Sequence, residues 1–311
     1  MTDYCSPSNT KTNINICFSK ESLLKLIEAW NNTNTNNKII VKNKSSIKNL
    51  WEQLDNKLKG ICDKGADWCW TGAIENMTSN PNIKKEVKEI ANKELKPEKP
   101  KEWLSNPKTW LSNYDIEKVM NQYSLNKEYK YNFLGVFPID FSVKNKFGKC
   151  LFSEICNINI AKFIKKGIKY LGLITNLDKH DQPGSHWTST FIIIDPNISS
   201  YGAYYYDSTA RPIPSYVLNF LKQIKIQCDN LYPSNKFLYK YNKKQHQRKN
   251  TECGIFSIVF QIRWLKSLKL NPKATFNDII DNNNINDETM YAIRDVLYRP
   301  NIKSVIKIRN G

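Results

Sequence analysis

No run of apolar residues in this sequence approaches the roughly 18 to 20 that a bilayer-spanning helix requires. The first residues, Met-Thr-Asp-Tyr-Cys-Ser-Pro, lack the basic stretch followed by an apolar one that marks an export signal. A soluble protein with no membrane insertion is expected. Histidine is scarce, with three in 311 residues, so chemistry that needs an imidazole can draw only on His180, His186 or His246. No internal repeat shows in the first half, and nothing in residues 1 to 100 carries recognisable chemistry. Metal-ligand spacing is also missing. Cys62 and Cys69 are not followed by a second pair at finger-like distance, which argues against zinc, and no cofactor is expected.

Charge, by contrast, is abundant. Lys+Arg total 47 against 29 Asp+Glu, a net charge of +18, which favours association with DNA or another polyanion. The excess is spread along the chain, and Lys and Asn are frequent everywhere, so a general compositional bias explains it equally well. The eight cysteines are irregularly spaced. With no export signal, that spacing predicts free thiols in a reducing compartment.

The length suggests about two domains. Ser19 is a natural N-cap for a helix carrying Leu23, Leu24, Leu26 and Ile27 and running to about Trp30, although Ser22 stands where a capping box would place Glu or Gln. Ser46 to Leu58 reads as a second helix, and Asn82 to Lys96 as a largely solvated third. Pro97 and Pro100 then break the chain. The expected division is a helical extension over 1–100 and a core domain over 101–311.

From Phe133 the texture changes to short apolar segments rich in β-branched and aromatic residues. Strands are predicted at Phe133 to Asp140, Tyr170 to Thr175, His186 to Asp195 and Ala203 to Ser208, with helices at Ile158 to Ile168 and Ser215 to Ile224. Lys236 to Asn250 is a basic run. Thr251 to Leu268 carries Ile255, Ile258, Val259, Ile262 and Leu265 at spacings of three and four, a helix with one apolar stripe. The class is α+β, a mixed central sheet with flanking helices.

That last helix opens on Cys253 and Gly254. Backbone N–H groups in a helix's first turn lack intrahelical partners and, with the macrodipole, favour a thiolate; Gly254 allows close approach of another chain. A thiolate attacking an amide needs a base that later protonates the leaving amine, and imidazole suits the task. His186 sits at the mouth of one strand, and Asp207 ends the next, placed to fix that imidazole's tautomer. Gln247, six residues before Cys253, can supply an oxyanion donor. His180, His246 and Gln245 are rivals lacking these positions. Taken singly, each residue has a plainer reading: a buried cysteine, a strand-end histidine, a turn-capping aspartate, a core Trp187.

The order His, Asp, Gln, Cys resembles the adenain and SUMO-protease-like cysteine peptidases. So do His186-Trp187 before an apolar strand, Tyr206-Asp207-Ser208-Thr209 and His246-Gln247-Arg248-Lys249-Asn250-Thr251-Glu252-Cys253-Gly254. Within that group the sequence is most similar to the polyprotein-processing proteases of African swine fever virus and its large-DNA-virus relatives, over about residues 103 to 299. The resemblance implies cleavage after Gly-Gly in viral capsid or core polyproteins during virion maturation, in host cytoplasmic viral factories and the virion. It also implies that Trp187 helps to narrow the substrate cleft, that Asn176 lies near it, and that DNA could concentrate the enzyme. One departure is Asp207, where the swine fever virus enzyme carries Asn; an anion there should hold the imidazolium to higher pH. Removal of SUMO or ubiquitin, which also end in Gly-Gly, and an inactive DNA-associated core protein are the alternative functions.

Overall fold

The computed structural model describes residues 4–9, 16–281 and 284–301. The chain divides into two compact units, Met1–Ser105 with Asp295–Gly311, and Asn106–Arg294. The expected division gave everything after residue 100 to the core domain. The chain from Asp295 instead groups with the first unit, where Arg299 N–H donates to the Pro97 carbonyl, Lys99 N–H to that of Arg299 (2.8 Å each), and Arg299 pairs with Glu98 at 3.1 Å. The proline-rich segment is therefore a backbone-paired strap.

The first unit is helical: α1 (Lys20–Thr33), α2 (Ile47–Leu58), α3 (Trp70–Met77) and α4 (Pro81–Glu94). Their apolar faces meet in a core that includes Leu23, Leu26, Trp30, Leu50, Leu54, Trp70, Ile74 and Val87. Ser19 caps α1 as its sequence predicts, its hydroxyl accepting from Ser22 N–H. The carboxylate that a capping box would place three residues on comes instead from Glu94, which accepts from Ser19 N–H and from both serine hydroxyls.

The second unit contains α5 (Asn113–Leu125), β1 (Tyr131–Pro138), α6 (Ser153–Cys156), α7 (Ile160–Lys165), β2 (Tyr170–Asn176), β3 (Trp187–Ile193), β4 (Gly202–Tyr206), α8 (Ser215–Leu231), β5 (Leu238–Tyr241), α9 (Cys253–Leu270) and α10 (Phe276–Ile280); α11 (Asp287–Leu297) starts here. The sheet runs in chain order, β1-β2-β3-β4-β5, with parallel pairs at both edges and antiparallel pairs in the middle. This is the expected mixed sheet with flanking helices. Strand alternation sorts its side chains. Ile192, Ala203 and Tyr205 share a core with Val217, Phe220, Leu221 and Ile224 of α8. On the other face Phe191 stacks on Trp264 of α9 at 5.4 Å, and Tyr206 on Phe260 at 4.7 Å.

α9 differs from its predicted single stripe. Nearly every residue from Cys253 to Leu265 is buried. Gln261, wholly buried, fixes the helix to three strands: its amide donates to Ser189 Oγ and the Thr190 carbonyl at 2.8 Å and to the Leu173 carbonyl at 3.5 Å, and accepts from Tyr131 Oη at 3.1 Å. Gly172 is required beneath it, because a Cβ there would lie 1.9 Å from Tyr131 Oη.

The expectation of free thiols is corrected. Cys5–Cys17, Cys62–Cys69 and Cys150–Cys156 are disulfides, each between residues close in sequence; Cys228 and Cys253 are free and buried. Turns that bring near neighbours together leave no framework-like spacing to read. Among the described residues no helix is long and apolar enough to cross a membrane, and no group of three or more His, Cys, Asp or Glu could hold a metal.

Candidate active site

Antiparallel pairing of β3 and β4 sets the start of one beside the end of the other, with Ser189 opposite Tyr206. His186 immediately precedes β3 and Asp207 immediately follows β4. His186 Nε2 lies 2.7 Å from Asp207 Oδ1, with both side chains buried. Asp207 Oδ1 also accepts from Thr209 N–H at 2.8 Å and Thr209 Oγ1 at 2.7 Å. Its backbone is held by the Asn242 carboxamide, which accepts from Asp207 N–H at 2.9 Å and donates to the Asp207 carbonyl at 2.7 Å.

Cys253, the first residue of α9, is the second group that acts on the imidazole. Burial alone would depress the His186 pKa; the hydrogen bonds to Asp207 and Cys253 and their negative charge outweigh it and raise the pKa to about 9. Burial pushes Asp207 the other way, but the His186 hydrogen bond and charge, then the Thr209 bonds, hold its carboxyl below the usual range. The imidazolium–carboxylate pair is therefore the stable form at neutral pH.

Gln247 is drawn in by the same turn. Ser208 accepts at its carbonyl from His246 N–H (2.8 Å) and Gln247 N–H (2.9 Å), and its hydroxyl donates to Gln247 Oε1 at 2.6 Å. Tying up the amide oxygen fixes which end of the carboxamide is nitrogen; Nε2 donates once, to the Lys249 carbonyl, and keeps a second hydrogen. The helix start itself has no side-chain cap.

The rivals have other employment. His180 Nδ1 binds Asp140 Oδ2 at 2.7 Å, and the same carboxylate accepts from His180 N–H. His246 Nδ1 binds Tyr206 Oη at 2.8 Å; burial first, then Lys244 and Arg263, push its pKa down to about 4, so it stays neutral. Gln245 donates to the Gln247 carbonyl and braces the loop.

Trp187 donates from its indole N–H to the Leu111 carbonyl at 3.0 Å. A Cβ on Gly254 would meet Leu111 Cβ and Cδ1 at 3.2 Å and Trp187 Cδ1 at 3.3 Å. The close approach that Gly254 permits is thus by the chain's own Leu111 and Trp187, which cover the first turn of α9. Asn176 pairs opposite Trp187 across β2 and β3, but its carboxamide accepts from Asp178 and Ser185 N–H and orders the 177–185 loop. Sequence reasoning missed Ser208, Asn242 and Leu111, whose parts depend on folding. It also missed Glu252, the acid directly before Cys253, and its buried partner Arg294, 2.7 Å away; an acid beside a candidate nucleophile was the available signal.

No family model matches the sequence. The thiol protease of Acanthamoeba polyphaga mimivirus is 27% identical over 95% of this chain and 93% of its own. A cysteine protease of African swine fever virus is 27% identical over 61% of this chain and 67% of its own. The chain is a cysteine protease, similar in sequence to viral thiol proteases. The crystal structure of the swine fever virus protease aligns with a TM-score of 0.59 at 16% identity, over 97% of each chain, and has the same fold. Other isolates' versions carry the name SUMO-1 cysteine protease, one of them 26% identical over 61% of this chain and 67% of its own.

Proposed function

We propose that the chain is a cysteine endopeptidase that cleaves after Gly-Gly in viral structural polyprotein precursors during virion maturation, in viral factories and the particle. The observation that carries this reading is the His186 imidazole, hydrogen-bonded to Asp207 and raised in pKa by both Asp207 and Cys253, the latter at the open start of α9. Cys253 sulfur attacks the scissile carbonyl as thiolate. The oxyanion is received by the remaining Gln247 Nε2 hydrogen and the backbone N–H at the start of α9, a contribution of about 3 to 4 kcal/mol per donor where water is excluded. His186 protonates the leaving amine and then activates the water that releases the acyl group. Asp207 keeps the ring oriented and charged. The indole of Trp187 and the side chain of Leu111, closed over Gly254, leave room suited to residues without side chains, in keeping with a Gly-Gly requirement.

An aldehyde- or vinyl-sulfone-tipped Gly-Gly peptide tests this. A single adduct, absent in Cys253→Ala and slow in His186→Ala, is expected. Adducts scattered over other cysteines and unchanged by either substitution would leave an inactive, basic DNA-associated scaffold as the better reading. The name SUMO-1 cysteine protease on relatives favours one second reading, removal of a SUMO-like modifier; cleavage of a SUMO fusion but not of short Gly-Gly-x peptides would select it. Contact with DNA through the +18 charge predicts activity that falls with salt and rises with added DNA.

A further inference from the structure

The helix that carries the nucleophile begins next to an acid. Glu252 is 2% exposed and directly precedes Cys253, and an isolated carboxylate there would oppose thiolate formation. It is not isolated. Arg294 Nε donates to Glu252 Oε2 at 2.7 Å, and Thr251 Oγ1 to Oε1 at 2.9 Å. The guanidinium, 3% exposed as a residue, donates further from Nη2 to the Thr251 carbonyl at 3.1 Å and from Nη1 to the carbonyls of Pro107 at 2.7 Å and Thr109 at 3.1 Å. One planar side chain therefore grips the turn before Cys253 and, through 107–109, the segment that places Leu111 over Gly254 and under the Trp187 indole.

We propose that Arg294 is a positioning residue with two tasks: it neutralises Glu252 beside the nucleophile, and it fastens the 107–111 wall of the cleft to the first turn of α9. The proposal rests on Cys253 being the nucleophile. A buried ion pair adds little net stability over an apolar pair of the same shape, so bulk stability alone does not account for one at this position. The other charged groups around the nucleophile are His186 from the β3 side and Asp207 behind it; Gln247, from the preceding loop, is neutral. Farther along that loop, Asp287 accepts from Arg248 and Lys249 N–H, and Lys249 pairs with Glu288 at 2.6 Å.

The test compares the full chain with Glu252→Gln, Arg294→Met and the double variant. It measures site-mapped alkylation of Cys253 by neutral iodoacetamide against pH, and kcat and KM on a Gly-Gly-x peptide, corrected for folded fraction by circular dichroism. Arg294→Met should move the lower arm of the alkylation profile up by about one pH unit, roughly tenfold slower reaction on that arm. Glu252→Gln, which leaves the cation uncompensated, should move it down. The double variant should restore the arm but keep KM raised several-fold, because the 107–109 carbonyls have lost their donor. If Arg294→Met does not fold, Glu252→Gln and the double variant still decide. Profiles that superimpose on the wild type, or a double variant with wild-type KM, would overturn the proposal. A wild-type chain that neither alkylates selectively at Cys253 nor cleaves Gly-Gly would instead overturn the reading of the nucleophile.

Discussion

Two helix starts in this molecule are built in opposite ways. At α1, Ser19 and a distant Glu94 saturate the terminus with acceptors. At α9 the N-cap residue is Glu252, yet its carboxylate is turned away to Arg294 and no side chain caps the helix. The first arrangement maximises the stability of the helix end. The second leaves backbone donors and the positive end of the macrodipole free for a charge that arises in the proposed reaction. An uncapped start does not by itself mark such a place, since α8 also lacks a side-chain cap; what sets α9 apart is an adjacent acid held by Arg294.

Substitutions at the two ends should separate these roles. The largest effect is expected at α9 itself: Cys253→Ala should abolish peptide cleavage, and His186→Ala should lower kcat/KM by at least about 10³-fold, with melting temperatures within a few degrees of the wild type. Gln247→Ala should lower kcat by about 10²-fold with little change in KM, since its donor acts only on the developing oxyanion; a matched rise in KM would mean that it binds ground-state substrate.

Asp207→Asn comes next and is sharpest in its pH dependence. The wild-type alkaline limb should fall near pH 9, where His186 loses its proton, and should move toward neutrality in the variant. The same group sets a stability window. Because its folded pKa lies above the ordinary 6.5, the stabilisation it confers is complete below about pH 6.5 and disappears as pH rises through about 9; urea titrations across that range check the sign. Asp207, held below its usual range, contributes stability that is present above about pH 4 and is lost on further acidification.

At α1 the expected change is in stability alone. Glu94→Gln should cost about 1 to 3 kcal/mol by urea unfolding, because three donors lose a charged acceptor, while labelling of Cys253 per folded molecule stays unchanged. Smallest of all, Ala210→Gly should be neutral or stabilising by under about 1 kcal/mol: Ala210 closes the Asp207 turn at φ 62, a conformation that glycine adopts without strain.

Sequence legibility followed the range of the interactions. Helices with a local cap and a periodic stripe, α1 and α2, and the central strands with their dense β-branched and aromatic residues could be read directly. So could the order and spacing of His186, Asp207, Gln247 and Cys253. β5 could not, because Leu238–Tyr241 lies in a lysine-rich run whose side chains face outward at a sheet edge; its strand character comes from pairing with β4. The all-round burial of α9 was hidden behind Ser257 and Gln261, polar residues that are buried because the sheet supplies partners. Glu94 and Arg294 were invisible for a similar reason. Each completes a terminus 72 or 42 residues away in sequence, and no local pattern encodes such a partnership.

Ser208 carries an evolutionary consequence. Its neighbour Asp207 steers the imidazole, while its own hydroxyl and carbonyl steer Gln247 and the loop before the nucleophile. Two consecutive residues thus couple His186 to Gln247, the proposed oxyanion donor, and a change at either end is felt at both. Drift in this turn should therefore be strongly epistatic: double substitutions at Ser208 and Gln247 should cost much less than the sum of the singles, and lineages that alter one should alter the other in step.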